Sequence, residues 1–388
     1  MGAGKTTAIL NMAKRFMLSG KKVGIVTNDQ GSQLVDAHFL RANGLETLSV
    51  EGGCFCCKFH DFSKKVAELQ RSQAIDAIFA EPVGSCTDLV ATVFRPILYG
   101  KLPAAYAGVN ESPPPAGSCA KGISLAPLSI VADPKRIKRF MMQETGGGGE
   151  GEGGETFPTE VNYLFEKQLQ EADIIAINKC DLLSGDEYKR IYEYMKARYP
   201  GSEILGVSAK TGEGLAEWME FIGGNVSAAD KVLQIDYDAY ARAEAALGWL
   251  NAVFSLTSDR PADINEKVRK LLFSIKATAS VYKAEIAHIK CYCVSQNEYY
   301  KASLTGVGDG LDEDAAMSLP HKEVNLILNA RAHIDPEPLK RICEEAVRGA
   351  FPDFNIADSH IEHFKPSPPN PTFRTKGDGT ILSSNGIR

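Results

Sequence analysis

The chain begins Met1-Gly2-Ala3-Gly4-Lys5-Thr6-Thr7, and this stretch decides the fold. In a phosphate-binding loop, glycines let backbone N–H groups close around phosphates, a lysine reaches the β and γ oxygens, and the next hydroxyl coordinates Mg²⁺. Lys5 and Thr6 stand at those last two positions, and apolar residues recur with helical spacing from Ile9 to Met17. The stretch therefore predicts most of a phosphate-binding loop that runs into an amphipathic helix.

The complete pattern has another glycine and a buried strand ahead of the loop, and neither precedes Met1 in this sequence. We therefore expect the first strand of the sheet to be missing from this chain. A central parallel strand is buried on both faces, so its loss would expose the apolar strands beside it. The expectation is that the chain binds nucleotide poorly and tends to aggregate.

Composition limits the classes of protein that the chain can belong to. With 388 residues, 44% of them hydrophobic, it can bury one large core or two ordinary ones, and we expect two domains. The net charge of −6 favours neither nucleic acid nor a membrane as a partner. No apolar run approaches the ~20 residues that span a bilayer. Nine cysteines, three of them clustered, are typical of a reducing compartment, so a cytoplasmic protein is expected.

Short β-branched runs, most of them followed by helical patterns, predict an α/β domain with a mostly parallel sheet flanked by helices. These strands are expected at 22–27, 45–50, 75–80, 125–132, 173–177 and 204–207.

Acidic residues follow two of these strands, at the edge where an open α/β sheet binds its ligands. Asp29 is a candidate for Mg²⁺ or its waters, although an Asn-Asp pair beside glycine is also ordinary turn chemistry. Glu81 is the candidate carboxylate that orders Mg²⁺ and water, and the N–H of Gly84 can sense a γ-phosphate. The alternative for Glu81 is a surface carboxylate at a strand end.

The stretch Glu51-Gly52-Gly53-Cys54-Phe55-Cys56-Cys57 places three thiols within four residues. Cys54, Cys56 and Cys57 can converge on one cation such as Zn²⁺, Co²⁺ or Cu⁺; the alternative is a set of small apolar fillers. Three thiolates favour zinc over nickel, whose protein sites draw on imidazole. A fourth ligand is not obvious, because His60 is more typical of a solvated helix and Cys86 of packing. An open coordination position would suit a metal that is handed on.

Two further motifs predict recognition of guanine. Asn178-Lys179-Cys180-Asp181 follows the strand at 173–177, and Asp181 can accept from guanine N1–H and its exocyclic amine while Asn178 and Lys179 brace the loop. Ser208-Ala209-Lys210 follows the next strand, and its N–H groups can meet guanine O6. GTP is therefore favoured over ATP. The remaining nucleotide contacts are expected from the first loop: Gly2, Ala3, Gly4, Lys5, Thr6 and Thr7.

Composition changes after Gly223-Gly224, and we predict a first domain at 1–225, a smaller α+β domain at 232–365 and a disordered tail at 366–388. A flexible acidic tether at about 143–156 interrupts the first domain. The second domain, beginning with a strand at 232–236, resembles a ferredoxin-like sheet with helices on one face. Cys291 and Cys293 share a face of one of its strands, which favours core positions over a second metal site.

In this combination the motifs resemble those of the CobW/HypB/UreG-like P-loop GTPases, in particular the branch with a Gly-Cys-x-Cys-Cys motif. The resemblance covers about residues 1–225; the second domain resembles that branch only by position and class. It implies slow GTP hydrolysis coupled to delivery of a metal ion, with Lys5 and Glu81 as catalytic groups. It also places Mg²⁺ on Thr6, Asp29 and Glu81 and the transferable metal on the three loop cysteines.

The resemblance leaves three functions open. The first is a GTPase metallochaperone whose partner is a client metalloenzyme, with zinc or cobalt as cargo. The second is GTP-driven assembly or repair of a cobalamin-dependent enzyme, in which case the partner is a corrinoid protein. The third is a metal-binding protein that cannot turn GTP over. A homodimer is compatible with all three.

Overall fold

The computed structural model describes residues 2–28, 30–31, 35–72, 75–102, 123–144, 159–224, 229–306, 308 and 310–384. Asp29 and nearly all of the predicted tether lie outside these residues. The chain divides into two compact units. The phosphate-loop unit comprises Ala3–Asp29, Leu40–Tyr240 and Pro369–Arg388, and the antiparallel-sheet unit comprises Met1–Gly2, Gln30–Phe39 and Ala241–Pro368. Both units are discontinuous in sequence, whereas the domain boundaries predicted at 225 and 232 stay a prediction.

Six strands of the phosphate-loop unit form two parallel sheets of three strands each, in the orders β2-β1-β3 and β4-β5-β6. Their bounds are β1 Val23–Asn28, β2 Glu46–Val50, β3 Ala77–Glu81, β4 Ser129–Ala132, β5 Ile174–Ile177 and β6 Glu203–Gly206. The predicted parallel strands are thus confirmed. Strand β3 ends its sheet: among the described strands it pairs with β1 alone, and most of its residues are half-buried.

Helices follow the strands, as an α/β pattern predicts. They are α1 Lys5–Leu18, α2 Val35–Ala42, α3 Phe59–Ser72, α4 Arg95–Leu98, α5 Pro134–Glu144, α6 Thr159–Glu171, α7 Gly185–Arg198, α8 Leu215–Gly223 and α9 Tyr237–Ala245. A π-helix, Val90–Phe94, leads directly into α4. Ala8 and Met12 of α1 share one core cluster with Ile174 and Ala176 of β5, and Asn178, the residue after β5, donates to Ala3 O, so the start of α1 lies at the carboxyl end of that sheet.

The strand predicted at 232–236 is wrong. Those residues pair with no described strand, and Asp236 instead accepts hydrogen bonds from the N–H groups of Asp238 and Ala239 at the start of α9. A side chain that caps a helix competes with strand pairing, which explains why an apolar run alone was misleading here.

The antiparallel-sheet unit contains one six-stranded sheet in the order β10-β9-β8-β11-β7-β12. Its elements are β7 Gly248–Ala262, α10 Ile264–Val281, β8 Ile286–Ser295, β9 Glu298–Leu304, β10 Asp312–Ala315, β11 His321–Ala332, α11 Pro336–Ala350 and β12 Asn355–Phe364. The two strand–helix–strand units interleave as the ferredoxin-like pattern requires, with β9 and β10 added at one edge. Cys291 and Cys293 are fully buried in its core, which confirms their predicted position.

Strand β12 was missed by the sequence reading because it is an edge strand with few apolar residues, most of them only half-buried.

The first residues of α2 also pack within this unit. Asp36 forms a salt bridge with Lys290, and the Phe39 ring lies 6.1 Å from the Tyr299 ring and 3.6 Å below Lys301 Nζ.

The prediction of a disordered tail is wrong for the part of it that the structure describes. Residues Phe373–Thr375 (β13) and Ile381–Ser383 (β14) pair as an antiparallel hairpin in the phosphate-loop unit. Among the helices in the described ranges, none has both the length and the apolar character needed to cross a bilayer.

Candidate nucleotide and metal site

The phosphate loop has the backbone that its glycines predict. Gly4 precedes α1 with φ 86°, and a Cβ there would lie 2.3 Å from Asn178 Nδ2, so both conformation and space require glycine. Gly2 is also left-handed, with φ 71°. The first N–H groups of α1, which include those of Lys5, Thr6 and Thr7, have no partner within their own helix. The start of α1 is therefore suited to bind an anion.

Lys5, Thr6 and Glu81 lie together at the start of α1. The Thr6 hydroxyl donates to Glu81 Oε1 at 3.0 Å, and Lys5 Nζ lies 3.9 Å from the same oxygen. Glu81 is only 5% exposed although it ends a strand, which excludes a surface carboxylate. A hydroxyl beside a buried carboxylate is an oxygen donor set that fits Mg²⁺.

The segment after Glu81 is held by α6. Gln168 Nε2 donates to the carbonyls of Gly84 and Cys86 at 3.0 and 2.8 Å. At the end of α6, Glu171 accepts a hydrogen bond from the N–H of Val90 at the start of the π-helix. Burial raises the pKa of Glu171 to about 8. The loop that follows β3 is thus fixed to a neighbouring helix at three points.

Asn178 joins the phosphate loop to both guanine motifs. Its Nδ2 donates to Ala3 O at 2.7 Å, and its Oδ1 accepts from Ala209 N–H at 2.8 Å. Lys179 has the unusual φ of 60° and forms a 3.1 Å salt bridge with Asp133. Asp181 is exposed, so its carboxylate is available to a base.

The second guanine loop is held by a hydrogen bond within the loop and by another from α1. Ser208 Oγ accepts from Thr211 N–H at 3.1 Å, and Asn11 of α1 donates to Ala209 O at 2.6 Å. Because the Ala209 N–H is already engaged by Asn178, the neighbouring Lys210 N–H is the better donor for a base in this loop.

The three loop cysteines converge as the sequence predicts. The sulfur of Cys54 lies 2.9 Å from that of Cys56 and 3.1 Å from that of Cys57, and the last two sulfurs are 3.8 Å apart. These three residues form a group with metal-ligand geometry among the described residues. A tetrahedral zinc with bonds of about 2.3 Å places its sulfurs about 3.8 Å apart. One pair already has that spacing, and two pairs need to open by roughly 0.8 Å.

The pKa values of the three loop thiols differ. Hydrogen bonds with the thiols of Cys56, Cys57 and Cys86 hold the pKa of Cys54 well below its usual value. The pKa of Cys56 is raised, and the pKa of Cys57 is raised to about 12, first of all by the hydrogen bond of each to Cys54. Within the cluster, Cys54 therefore holds its proton least tightly.

Asn28 holds the thiol loop to the end of β1, a role that the sequence reading missed. Its Nδ2 donates to Val50 O at 3.0 Å and to Gly53 O at 2.7 Å, while its Oδ1 accepts from Phe55 N–H at 2.9 Å. Gly52 has φ 73°, which supports the predicted curl of the backbone ahead of the cysteines.

The two candidates for a fourth ligand occupy the kind of position that the sequence predicts, and neither is in the metal-competent group formed by the described residues. Cys86, expected to pack, is buried and has its thiol against Cys54; the signal available in the sequence was a cysteine five residues after Glu81. His60 is exposed, and its ring packs against Phe59 and Phe373.

Comparison with known proteins agrees with the motifs at the start of the chain. The family described as "CobW/HypB/UreG, nucleotide-binding domain" matches residues 1–101. Residues 1–101 are therefore similar to the nucleotide-binding domain of that family, as the motifs predict.

Particular relatives cover part of the chain. A protein named zinc chaperone CobW from Sinorhizobium sp is 25% identical over 223 residues, which are 55% of this chain and 57% of that protein. A second zinc chaperone CobW, from Pseudomonas aeruginosa, is 23% identical over 227 residues, 55% of each chain. The chain thus spans little more than half the length of these curated relatives. A structure of HypB from Helicobacter pylori in complex with nickel is 17% identical with a TM-score of 0.35, and the match covers 57% of this chain and 80% of that one.

Proposed function

We propose that this protein binds and hydrolyses GTP and couples its nucleotide state to the binding and delivery of a thiolate-bound metal, zinc, to a client protein. One observation carries the proposal. Neighbouring strands β1 and β3 end in Asn28, which holds the thiol loop, and in Glu81, which contacts the phosphate-loop residues Lys5 and Thr6. Thr27 lies directly opposite Glu81 in the pairing of β1 with β3, so Asn28 is only one residue beyond the position opposite Glu81.

The nucleotide part of the proposal assigns a task to each group. Lys5 and the first N–H groups of α1 hold the phosphates, and Thr6 and Glu81 hold Mg²⁺, which would neutralise charge that develops on the transferred phosphoryl group. Asp181 selects guanine, and Lys210 N–H meets its O6. Asn178 keeps both base loops in register with the phosphate loop through its two hydrogen bonds.

Zinc as the cargo is supported by the donor set and by the names of the relatives. Three thiolates in a small buried loop suit a borderline or soft cation, and zinc needs no redox step to be taken up or released. The two curated relatives are both named zinc chaperones. In this proposal the cluster is a transfer site, with Cys57 as its half-buried member.

Coupling follows from the shared strands. A γ-phosphate competes with Glu81 for Lys5 and Thr6, so its arrival and loss change the contacts at the end of β3. The end of β1, which is next to β3 in the sheet, touches the thiol loop through Asn28. Cys86, which follows β3 in the sequence, touches that loop through Cys54. We infer that GTP favours the metal-competent loop and that hydrolysis relaxes it, so that the metal passes to the client.

Cobalt titration of anaerobically purified protein tests the metal part of this function. We expect one Co²⁺ per chain, with intense visible bands of tetrahedral thiolate coordination and a near-ultraviolet sulfur charge-transfer band. Single substitutions of Cys54, Cys56 or Cys57 by Ser should weaken binding at least about tenfold and shift the bands.

Cys180→Ser is the matched control, because this half-buried cysteine lies in the guanine loop. It should leave the spectrum unchanged. Bands that survive the loss of two loop cysteines would place the metal elsewhere and contradict the proposal.

A further inference from the structure

The carboxyl-terminal segment docks directly on the thiol loop; we call residues 370–384 the strap. Asn370 N–H donates to Cys57 Sγ at 3.2 Å. Thr372 adds two hydrogen bonds, from its N–H to Cys56 O at 2.8 Å and from its Oγ1 to Cys57 O at 3.0 Å. The strap therefore reaches both the backbone of the thiol loop and one of its sulfurs.

The strap is also anchored to the segment that follows Glu81. The Arg374 guanidinium binds the buried carboxylate of Asp88 at 2.7 and 3.4 Å. The Phe373 ring packs edge-on against Phe59, with centroids 5.4 Å apart. One short hairpin thus contacts the metal-ligating loop on one side and the loop after β3 on the other.

We propose that the strap retains the metal in the thiol site, and that the backbone N–H of Asn370 is the positioning group through which it acts. This inference rests on the proposed function, since it assumes that Cys54, Cys56 and Cys57 hold the transferable metal. Release of the metal then requires the strap to leave Cys57.

The physical basis is a hydrogen bond to a metal-bound thiolate. Such an outer donor fixes the direction of the sulfur lone pairs and stabilises the negative charge that the metal only partly neutralises. Asn370 stands between Pro369 and Pro371, which restrict its backbone to extended conformations before any metal binds. The donor is therefore held in place at little entropic cost.

A proline substitution at position 370 tests the contribution of the Asn370 backbone N–H alone. Asn370→Pro removes the N–H, and an extended backbone beside other prolines can accept the ring. Asn370→Ala keeps the N–H and is the matched control. Full-length proteins loaded with one equivalent of zinc are mixed with an excess of the chelator 4-(2-pyridylazo)resorcinol, and release is followed by stopped-flow absorbance.

We expect Asn370→Pro to bind one zinc but to release it about tenfold faster than the wild type, and Asn370→Ala to release it at the wild-type rate. With Co²⁺, the sulfur charge-transfer band should move to lower energy in the proline variant alone, because an unprotected thiolate is the better electron donor. A role limited to folding stability would not move that band.

Thr372→Val gives a second, independent arm if the proline variant does not fold. It keeps the shape of the side chain and loses only the Oγ1 bond to Cys57 O, so release should accelerate about threefold. Wild-type release rates in every folded variant, each still binding one zinc, would overturn the strap proposal and leave the metal site intact. A wild type that binds no metal would instead overturn the proposed function.

Discussion

Asn28 is the residue on which the geometry of the thiol loop depends most. Its amide makes two hydrogen bonds to the backbone of that loop, at Gly53 and Phe55, and a third to Val50 at the end of β2. A buried backbone group that loses its partner destabilises the fold by about 1–3 kcal/mol. The amide therefore links strand β1 to the positions of the three sulfurs.

Replacing Asn28 by Ala should lower the free energy of unfolding by about 2 kcal/mol and weaken Co²⁺ binding about tenfold, because three backbone groups lose a partner. Asn28→Asp should be at least as damaging as Asn28→Ala, since it keeps the acceptor for Phe55 N–H but turns a buried carboxylate oxygen towards the carbonyls of Val50 and Gly53. Urea unfolding and Co²⁺ titration measure the two effects. Asn43→Ala, which removes one contact with Lys14, is the control. Unchanged Co²⁺ affinity in Asn28→Ala would show that the amide does not position the loop.

Sequence reasoning identified the candidate ligand residues but not the residues that hold them. Cys54, Cys56 and Cys57 are recognisable because their chemistry depends on local spacing. Asn28 and Cys86 are not, because their roles depend on which loops meet at the edge of a sheet. Asn28 next to Asp29 reads equally well as a turn, and only the crossing of the thiol loop over the end of β1 distinguishes the two.

At the scale of elements, the contact between α6 and the π-helix contains a buried carboxyl. Glu171 accepts backbone hydrogen bonds at the start of the π-helix, and burial raises its pKa to about 8. The unfolded chain ionises the same group near a pKa of about 4.3. The folded state therefore binds the proton more tightly, and its stability is fully present below that lower value and decreases as the pH rises towards 8.

Glu171→Gln should remove this dependence. Between pH 5 and 8 the free energy of unfolding of the wild type should fall relative to that of the variant, by a total on the order of 4 kcal/mol. Urea denaturation at several pH values measures the difference. Glu160→Gln, on the same helix, is the control and should run parallel to the wild type. Parallel curves for Glu171→Gln would mean that the carboxyl is ionised in the folded protein.

The ordered structure of the strap could not be predicted from its amino-acid composition. Proline, serine and glycine predict disorder because they bury little surface of their own. Here the ordering contacts come from distant parts of the chain: Asn370 and Cys57 are 313 residues apart, and Arg374 and Asp88 are 286 apart. No window of sequence contains both partners. The strands of the phosphate-loop unit, by contrast, follow local periodicity, and those predicted at 22–27, 45–50 and 173–177 lie within one residue of the observed bounds.

At the scale of the whole molecule, the chain leaves the phosphate-loop unit after β1 and returns to it at Leu40, within α2. The intervening residues belong to the antiparallel-sheet unit, where the Asp36–Lys290 salt bridge and the packing of Phe39 hold them. The connection between β1 and β2 therefore includes residues that belong to the antiparallel-sheet unit. Sequence reading assigned this segment to the first domain, because its helical pattern is ordinary for an α/β fold.

We propose that nucleotide and metal share one coupling free energy. The most direct test is to measure how much each ligand changes the affinity for the other. The zinc affinity is measured with and without Mg²⁺ and a non-hydrolysable GTP analogue, and the affinity for the analogue is measured with and without zinc. We predict that each ligand tightens the other by the same factor, about tenfold or more, as linkage requires. Equal zinc affinity with and without the bound analogue would contradict the account.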